Sequence, residues 1–132
     1  MRRHVYLQAG GYWDPFFIGG EETLLAMDIL NEGHHIVYAP ALTVHHWPSH
    51  IRDDTLRRHL IMRNAIWTAW LRLPQRLAWW RTREIMKHIS GRRRQGRVLL
   101  DALAGAHVIL MNRRVLHPGT CNLFRQVWQQ DA

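Results

Sequence analysis

The sequence predicts an α/β chain in two parts: a short mixed segment over residues 1–52, then a basic, Trp-rich helical extension over residues 53–132. Three observations carry this expectation. Glycine and proline punctuate the first part at Gly10-Gly11, Asp14-Pro15, Gly19-Gly20, Gly33, Pro40 and Pro48, which leaves room only for short elements. β-Branched and aromatic residues run from His35 to Tyr38 and again from Leu42 to Trp47, on either side of a Pro40 turn, and read as two strands. From Asp53 onward, apolar residues recur at helical spacing with few interruptions.

Each element follows from local chemistry. Glu21 to Asn31 reads as a helix because Glu21 and Glu22 sit where the N-terminal dipole favours anions, and Gly33 is placed to end it. The next helix starts at the capping residues Asp53 and Asp54 and runs to about Leu73, where Pro74 stops it. Leu56, Leu60, Trp67 and Leu71 form its apolar stripe, and Arg63 with Asn64 falls on the same face, so that pair needs partners. Another helix spans about Gln75 to Ile89. Ser90-Gly91 with Arg92, Arg93 and Arg94 reads as a basic connector, and Gly96 precedes an apolar helix from about Arg97 to Asn112. His117-Pro118-Gly119 breaks the pattern before a short helix from Asn122 to Gln130.

Composition narrows the function classes. A chain of 132 residues with 47% hydrophobic content and only five prolines can pack one core, which excludes wholesale disorder. The net charge of +8 is unevenly placed. Residues 1–54 hold seven acids against three arginines, a balance of −4, whereas the remainder holds fifteen basic residues against three acids, a balance of +12. The second part therefore calls for an anionic neighbour. Trp67, Trp70, Trp79 and Trp80 alternate there with Arg72, Arg76, Arg81 and Arg83, and Arg76, Arg83 and Lys87 share a helix face. That pattern suits an anionic membrane surface along about Leu56 to Ile89; nucleic acid is disfavoured, since no recognised binding motif accompanies the charge.

Cys121 is the only cysteine, which excludes an intrachain disulfide and a Cys-rich zinc site and fits a reducing compartment. No window reaches eighteen uncharged apolar residues, so no span is expected. The expected place is the cytoplasm, with peripheral attachment to the inner face of the membrane.

Chemistry concentrates in Gly10-Gly11-Tyr12-Trp13-Asp14-Pro15-Phe16-Phe17-Ile18-Gly19-Gly20-Glu21-Glu22, a glycine-framed aromatic loop that delivers two carboxylates to a helix start. Glycines at Gly10, Gly11 and Gly20 let backbone approach a ligand, while Tyr12, Trp13 and Phe17 offer faces on which a sugar stacks. A carboxylate at the end of such a loop can take the proton of an attacking hydroxyl. By residue type alone, the same two glutamates serve equally as partners of the helix dipole.

The order G-G-Y-W-D-P-F-F-x-G-G-E-E, then Asn31 to Pro40, then Val44-His45-His46 resembles the inverting glycosyltransferases of the large GT-A family (family 2) that includes rhamnosyl- and galactofuranosyltransferases. Those enzymes typically read G-G-F-D, F-x-x-x-G-E-D-x-D-L, then G-y-x-i-x-y-x-P, then a histidine. The likeness covers roughly Arg3 to Leu73, about half the chain. It implies the C-terminal part of a GT-A domain, and a whole enzyme that moves a sugar from a nucleotide-diphosphate donor to a glycan or lipid-linked acceptor, as in cell-surface polysaccharide synthesis.

By position, Glu22 matches the family's general base, with Glu in place of the common Asp, and Glu21 precedes it. The family's next acidic position falls on Leu24, which departs from the pattern. The resemblance also implies a divalent metal, Mn or Mg, held by a histidine together with an Asp-x-Asp belonging to an upstream nucleotide-binding half. Strand alternation and the family's spacing from the proline favour His46 as that ligand, with His45 the alternative. An Arg-Asn pair is frequent in the family's post-histidine helix, which gives Arg63 a phosphate or the site loop as partner. From a different class, a basic helical module that binds anionic membrane or nucleic acid without chemistry would have no need of the Glu-Glu loop.

Overall fold

The structure, a computed structural model, describes residues 1–45, 47 and 54–130. The described residues are all-helical, and this overturns the α/β expectation and with it the reading of this segment as part of a GT-A sheet. The elements are α1 (Arg3–Gln8), a 3-10 turn (Asp14–Phe16), α2 (Glu21–Asn31), α3 (Asp54–Arg72), α4 (Gln75–Lys87), α5 (Arg92–Ala104), α6 (Ala106–Met111) and α7 (Pro118–Gln130).

The expected strands His35–Tyr38 and Leu42–Trp47 do not form among the described residues. A strand needs a second backbone to take its N–H and C=O groups, and side-chain type alone does not supply one. Here Ile36, Val37, Tyr38, Leu42 and Val44 are all exposed, so neither face of the segment packs and no ladder is nucleated. His46, Pro48 and the expected cap Asp53 lie outside the described residues.

α3 is the axis on which α2, α4, α5 and α6 pack, and α1 packs on α2. In α3, Ile66, Trp67 and Leu71 meet Phe16, Leu24, Ile85, Ile89, Val98, Ala102 and Ile109 in the main core. Ala69 and Leu73 turn to a second cluster with Met27, Ala78, Leu116, Cys121 and Phe124. Leu60, Trp67 and Leu71 of the expected stripe are buried, whereas Leu56, in the first turn of the helix, is exposed. Burial pushes the Cys121 thiol above its ordinary value, which keeps it protonated and inert.

Three departures from the expected boundaries have local causes. α5 starts at Arg92 because Gly91, at φ 90°, makes the break by itself and arginine is a good helix former. The single expected helix over Arg97–Asn112 is interrupted at Gly105, whose backbone lies against the Trp67 indole so closely that a Cβ there would overlap the ring. Pro118 opens α7 instead of blocking it, since proline at a first helical position loses no hydrogen bond.

Charged groups lock the C-terminal end of α3. Arg72 Nε and Nη2 meet both carboxylate oxygens of Asp28 on α2 at 2.6 and 2.9 Å, in a fork that is largely buried. The Arg113 guanidinium donates to the Trp70 and Leu73 carbonyls, and the amides of Arg114 and Leu116 donate to Leu71 and Arg72, so the orphan carbonyls of the last turn are answered. Asp28→Ala leaves a buried guanidinium without its anion and is expected to lower stability by about 3–5 kcal/mol. Urea unfolding measures this; a loss below about 1 kcal/mol would mean that water reaches Arg72 and replaces the carboxylate.

Candidate active site

The Gly10–Gly20 loop is built from its aromatic anchors outward. Trp13 stands edge-on to Phe16 at 5.1 Å and to Trp67 at 6.2 Å between ring centroids, which draws the loop onto α3. Phe16 is buried by this packing. Phe17 follows at φ 62°, a conformation glycine would hold without strain, and its ring faces solvent. Gly19 and Gly20, at φ 83° and 94°, then swing the chain into α2, and Gly19 sits where a Cβ would also collide with Ile61.

Asn64 fixes the loop from α3. Its Nδ2 donates to the carbonyls of Phe16, Ile18 and Gly19 at 3.0, 3.1 and 2.6 Å. Its Oδ1 accepts from Arg63 Nε and Nη2 at 3.0 and 2.8 Å, and Nη2 reaches the Pro15 and Phe16 carbonyls as well. The Arg63 guanidinium also lies 4.1 Å from the centre of the Trp67 ring and 3.7 Å from Asp101. Burial lowers its pKa, and the Asp101 carboxylate opposes that shift. Of the partners expected for Arg63, the described residues bring it the loop through Nη2, which reaches the Pro15 and Phe16 carbonyls, while Nε donates to Asn64 and Nη1 faces Asp101.

With the loop held, Glu21 and Glu22 begin α2 in its first turn. They border a cavity of about 490 Å³ formed by the loop end, α3, Arg81 and Trp128. Two oxygen atoms of its lining residues, Glu21 Oε2 and Thr68 Oγ1, are buried without a hydrogen-bond partner. The contrast with Thr82 is informative, since its hydroxyl donates back to the Ala78 carbonyl at 2.8 Å as helical threonines usually do. Arg57 stands on the same lining, and the Arg81 guanidinium stacks over the Trp128 ring at 4.5 Å. Glu22 is exposed and also borders a second cavity of about 770 Å³ with Arg2, His4, Tyr12, His34 and His35.

The structure thus divides the acceptor set read from the sequence. Gly20 lines the first cavity and Tyr12 the second, while Gly10, Gly11 and Trp13 line a third of about 260 Å³ beside Asp28 and Arg72. Phe17 points away into solvent. Thr68, Arg57, Arg81 and Trp128 were not singled out for this site by sequence. Thr68 alone carried a signal, as the one hydroxyl in the apolar run Ile66 to Leu71.

His45 is exposed, His46 lies outside the described residues, and no group of three or more His, Cys, Asp or Glu among the described residues is arranged to hold a metal. The metal expectation, which rests on His46 and on an upstream Asp-x-Asp, falls outside the described residues. Set against family models, curated proteins and solved structures, the chain has no match in any of the three.

Proposed function

We propose that this chain supplies the acceptor-activating part of a glycosyl-transfer reaction, in which Glu22 is the general base. The observation that carries the reading is the pair of buried, unanswered oxygens, Glu21 Oε2 and Thr68 Oγ1, in the lining of one cavity beside the exposed Glu22 carboxylate. A buried polar atom left unmatched costs about 1–3 kcal/mol, and a turn of either side chain toward the cavity would let a sugar hydroxyl recover it. The apolar wall from Ile18, Ile61 and Trp128 suits the ring of the same ligand.

In the reaction, the acceptor oxygen attacks the anomeric carbon of the donor sugar. The bond to the diphosphate breaks with its electron pair, and the acceptor proton passes to Glu22. Glu21 and Thr68 orient the acceptor, and Asn64 with Arg63 keeps the loop end, and so both glutamates, in place. Arg57 stands at the cavity to meet negative charge. The sequence contains no Asp-x-Asp, so the donor's diphosphate is left to groups not assigned to this chain.

The test uses the chain as produced. Its tryptophan emission is titrated with a panel of methyl glycosides, and an extract of producing cells is supplied with nucleotide sugars carrying radiolabelled sugar. At least one glycoside is expected to bind, with Thr68→Val weakening it roughly five- to tenfold, the worth of one hydrogen bond. Absence of binding across the panel, together with incorporation that does not depend on the chain, would overturn the reading.

A further inference from the structure

A second surface carries a pattern that the core does not use and from which the described cavities take only Met111. α5 rests on α3 through Val98 and Ala102, whose carbonyl accepts from the Trp67 indole at 2.9 Å. Its outer half faces solvent, and there the seven-residue spacing puts Arg92 in line with Leu99 and Arg93 in line with Leu100. Leu103 lies one turn beyond Leu99. α6 continues the pattern, with Ile109 turned in and His107, Leu110 and Met111 turned out. Leu100, Leu103 and Leu110 are about two-thirds exposed and Met111 more so, on two consecutive helices. Exposed apolar residues scattered singly are ordinary, but a stripe of them is not.

Charge says what covers the stripe. Arg92, Arg93, Arg94 and Arg97 are all exposed and form no ion pair among the described residues, and no acid occurs between Glu84 and Asp101. Three of them occupy the first turn of α5, where the helix dipole disfavours cations, so helix stability does not account for them. The surface presents cations leading into leucine and methionine.

We propose that the outer face of α5 and α6 docks on an anionic phospholipid bilayer, with the arginines at the headgroup phosphates and Leu99, Leu100, Leu103, Leu110 and Met111 in the acyl boundary. Nucleic acid would meet the arginines but offers nothing to the leucines. A second copy would cover the leucines but bring two arginine clusters together on chains that each carry +8. The surface differs from the α3–α4 stretch that the sequence favoured, where Leu60, Trp67, Leu71, Ala78, Ile85 and Ile89 are buried and Leu56 and Trp79 stand exposed without a run of apolar neighbours like that of α5 and α6. No described helix is long and apolar enough to cross a membrane, so attachment here is to the interface. The inference is independent of the glycosyl-transfer reading.

Vesicle co-sedimentation tests it with phosphatidylglycerol mixed into phosphatidylcholine, against phosphatidylcholine alone. Binding is expected to be at least about a hundredfold stronger on the anionic vesicles and to weaken with added salt. R92Q/R93Q/R94Q/R97Q is expected to lose that advantage. Leu100→Ser with Leu103→Ser is expected to weaken binding about tenfold or more at unchanged charge, while R76Q/R83Q/K87Q on α4 is expected to retain most of it. These residues are exposed, so circular dichroism should match the parent in every variant. Equal binding to both vesicles, binding indifferent to the leucine pair, or tighter binding to duplex DNA than to anionic vesicles would each overturn the proposal. Concentration-dependent dimerisation abolished by the leucine substitutions would overturn it also, in favour of a contact between copies.

Discussion

In an extract that transfers sugar with the parent chain, Glu22→Gln is expected to lower the rate by about two to four orders of magnitude. Glutamine keeps the length and shape of the side chain, so the loop, α2 and the cavity walls stay as they are. What disappears is the ability to take the acceptor proton as the new glycosidic bond forms. The loss belongs to the transition state, so it should appear in kcat, with KM for the glycoside within about twofold of the parent. Glu22 is exposed at a helix start, so stability changes only by the dipole contribution, about 0.3–1 kcal/mol.

Glu21→Gln reports on the neighbouring role. Its Oε2 is buried at the cavity, and an amide there still offers one acceptor and adds a donor. The expected result is a milder rate loss with weaker glycoside binding. Rates for Glu22→Gln within a few-fold of the parent, with Glu21→Gln the more damaging change, would move the base to Glu21.

Sequence pattern carried the parts of the fold whose causes are local. α2 was legible because its acids and Gly33 mark its two ends, and the boundary between α3 and α4 because Pro74 stops the helix before it. The segment His35 to Trp47 misled because alternation records which residues would suit a strand and says nothing of a second backbone to pair with. The interruption at Gly105 depends on the Trp67 ring, thirty-eight positions earlier, and no local pattern announces it.

The site divides in the same way. Glu21, Glu22 and Gly20 were legible from their order along the loop, and the geometry keeps them together. Tyr12, Trp13 and Phe17 shared a chemistry in one dimension but point in three directions once Trp13 is drawn against Trp67. Thr68 matters through a partner it lacks, which is a property of packing, and Trp128 reaches the cavity only because α7 folds back. The Arg63-Asn64 pair was legible as needing partners, and its partners are the carbonyls that hold the Glu-Glu turn.

That pair carries an expected effect on stability as large as that of Asp28→Ala, at Asn64. Its side chain is fully buried, and its amide holds three loop carbonyls while its oxygen answers Arg63. Asn64→Leu keeps the branched shape at a larger volume and removes every one of these hydrogen bonds, leaving buried carbonyls unmatched at about 1–3 kcal/mol each. Part of this is recovered as the loop loosens and admits water, so the expected loss is about 3–5 kcal/mol, or roughly 10–20 °C in Tm for a chain of this size. Asn64→Asp separates donation from size: the carboxylate still pairs with Arg63 but turns an oxygen on three carbonyl oxygens. At neutral pH it should therefore be at least as damaging as leucine. Both variants should expose the Phe16–Gly20 segment to protease before global unfolding, because the loop is released from α3 while Trp67 and Leu71 keep the core closed. If Asn64→Asp lost less than about 1 kcal/mol, the amide would not be what holds the loop, and the placement of Glu21 and Glu22 would have to rest on Trp13 and Phe16 alone.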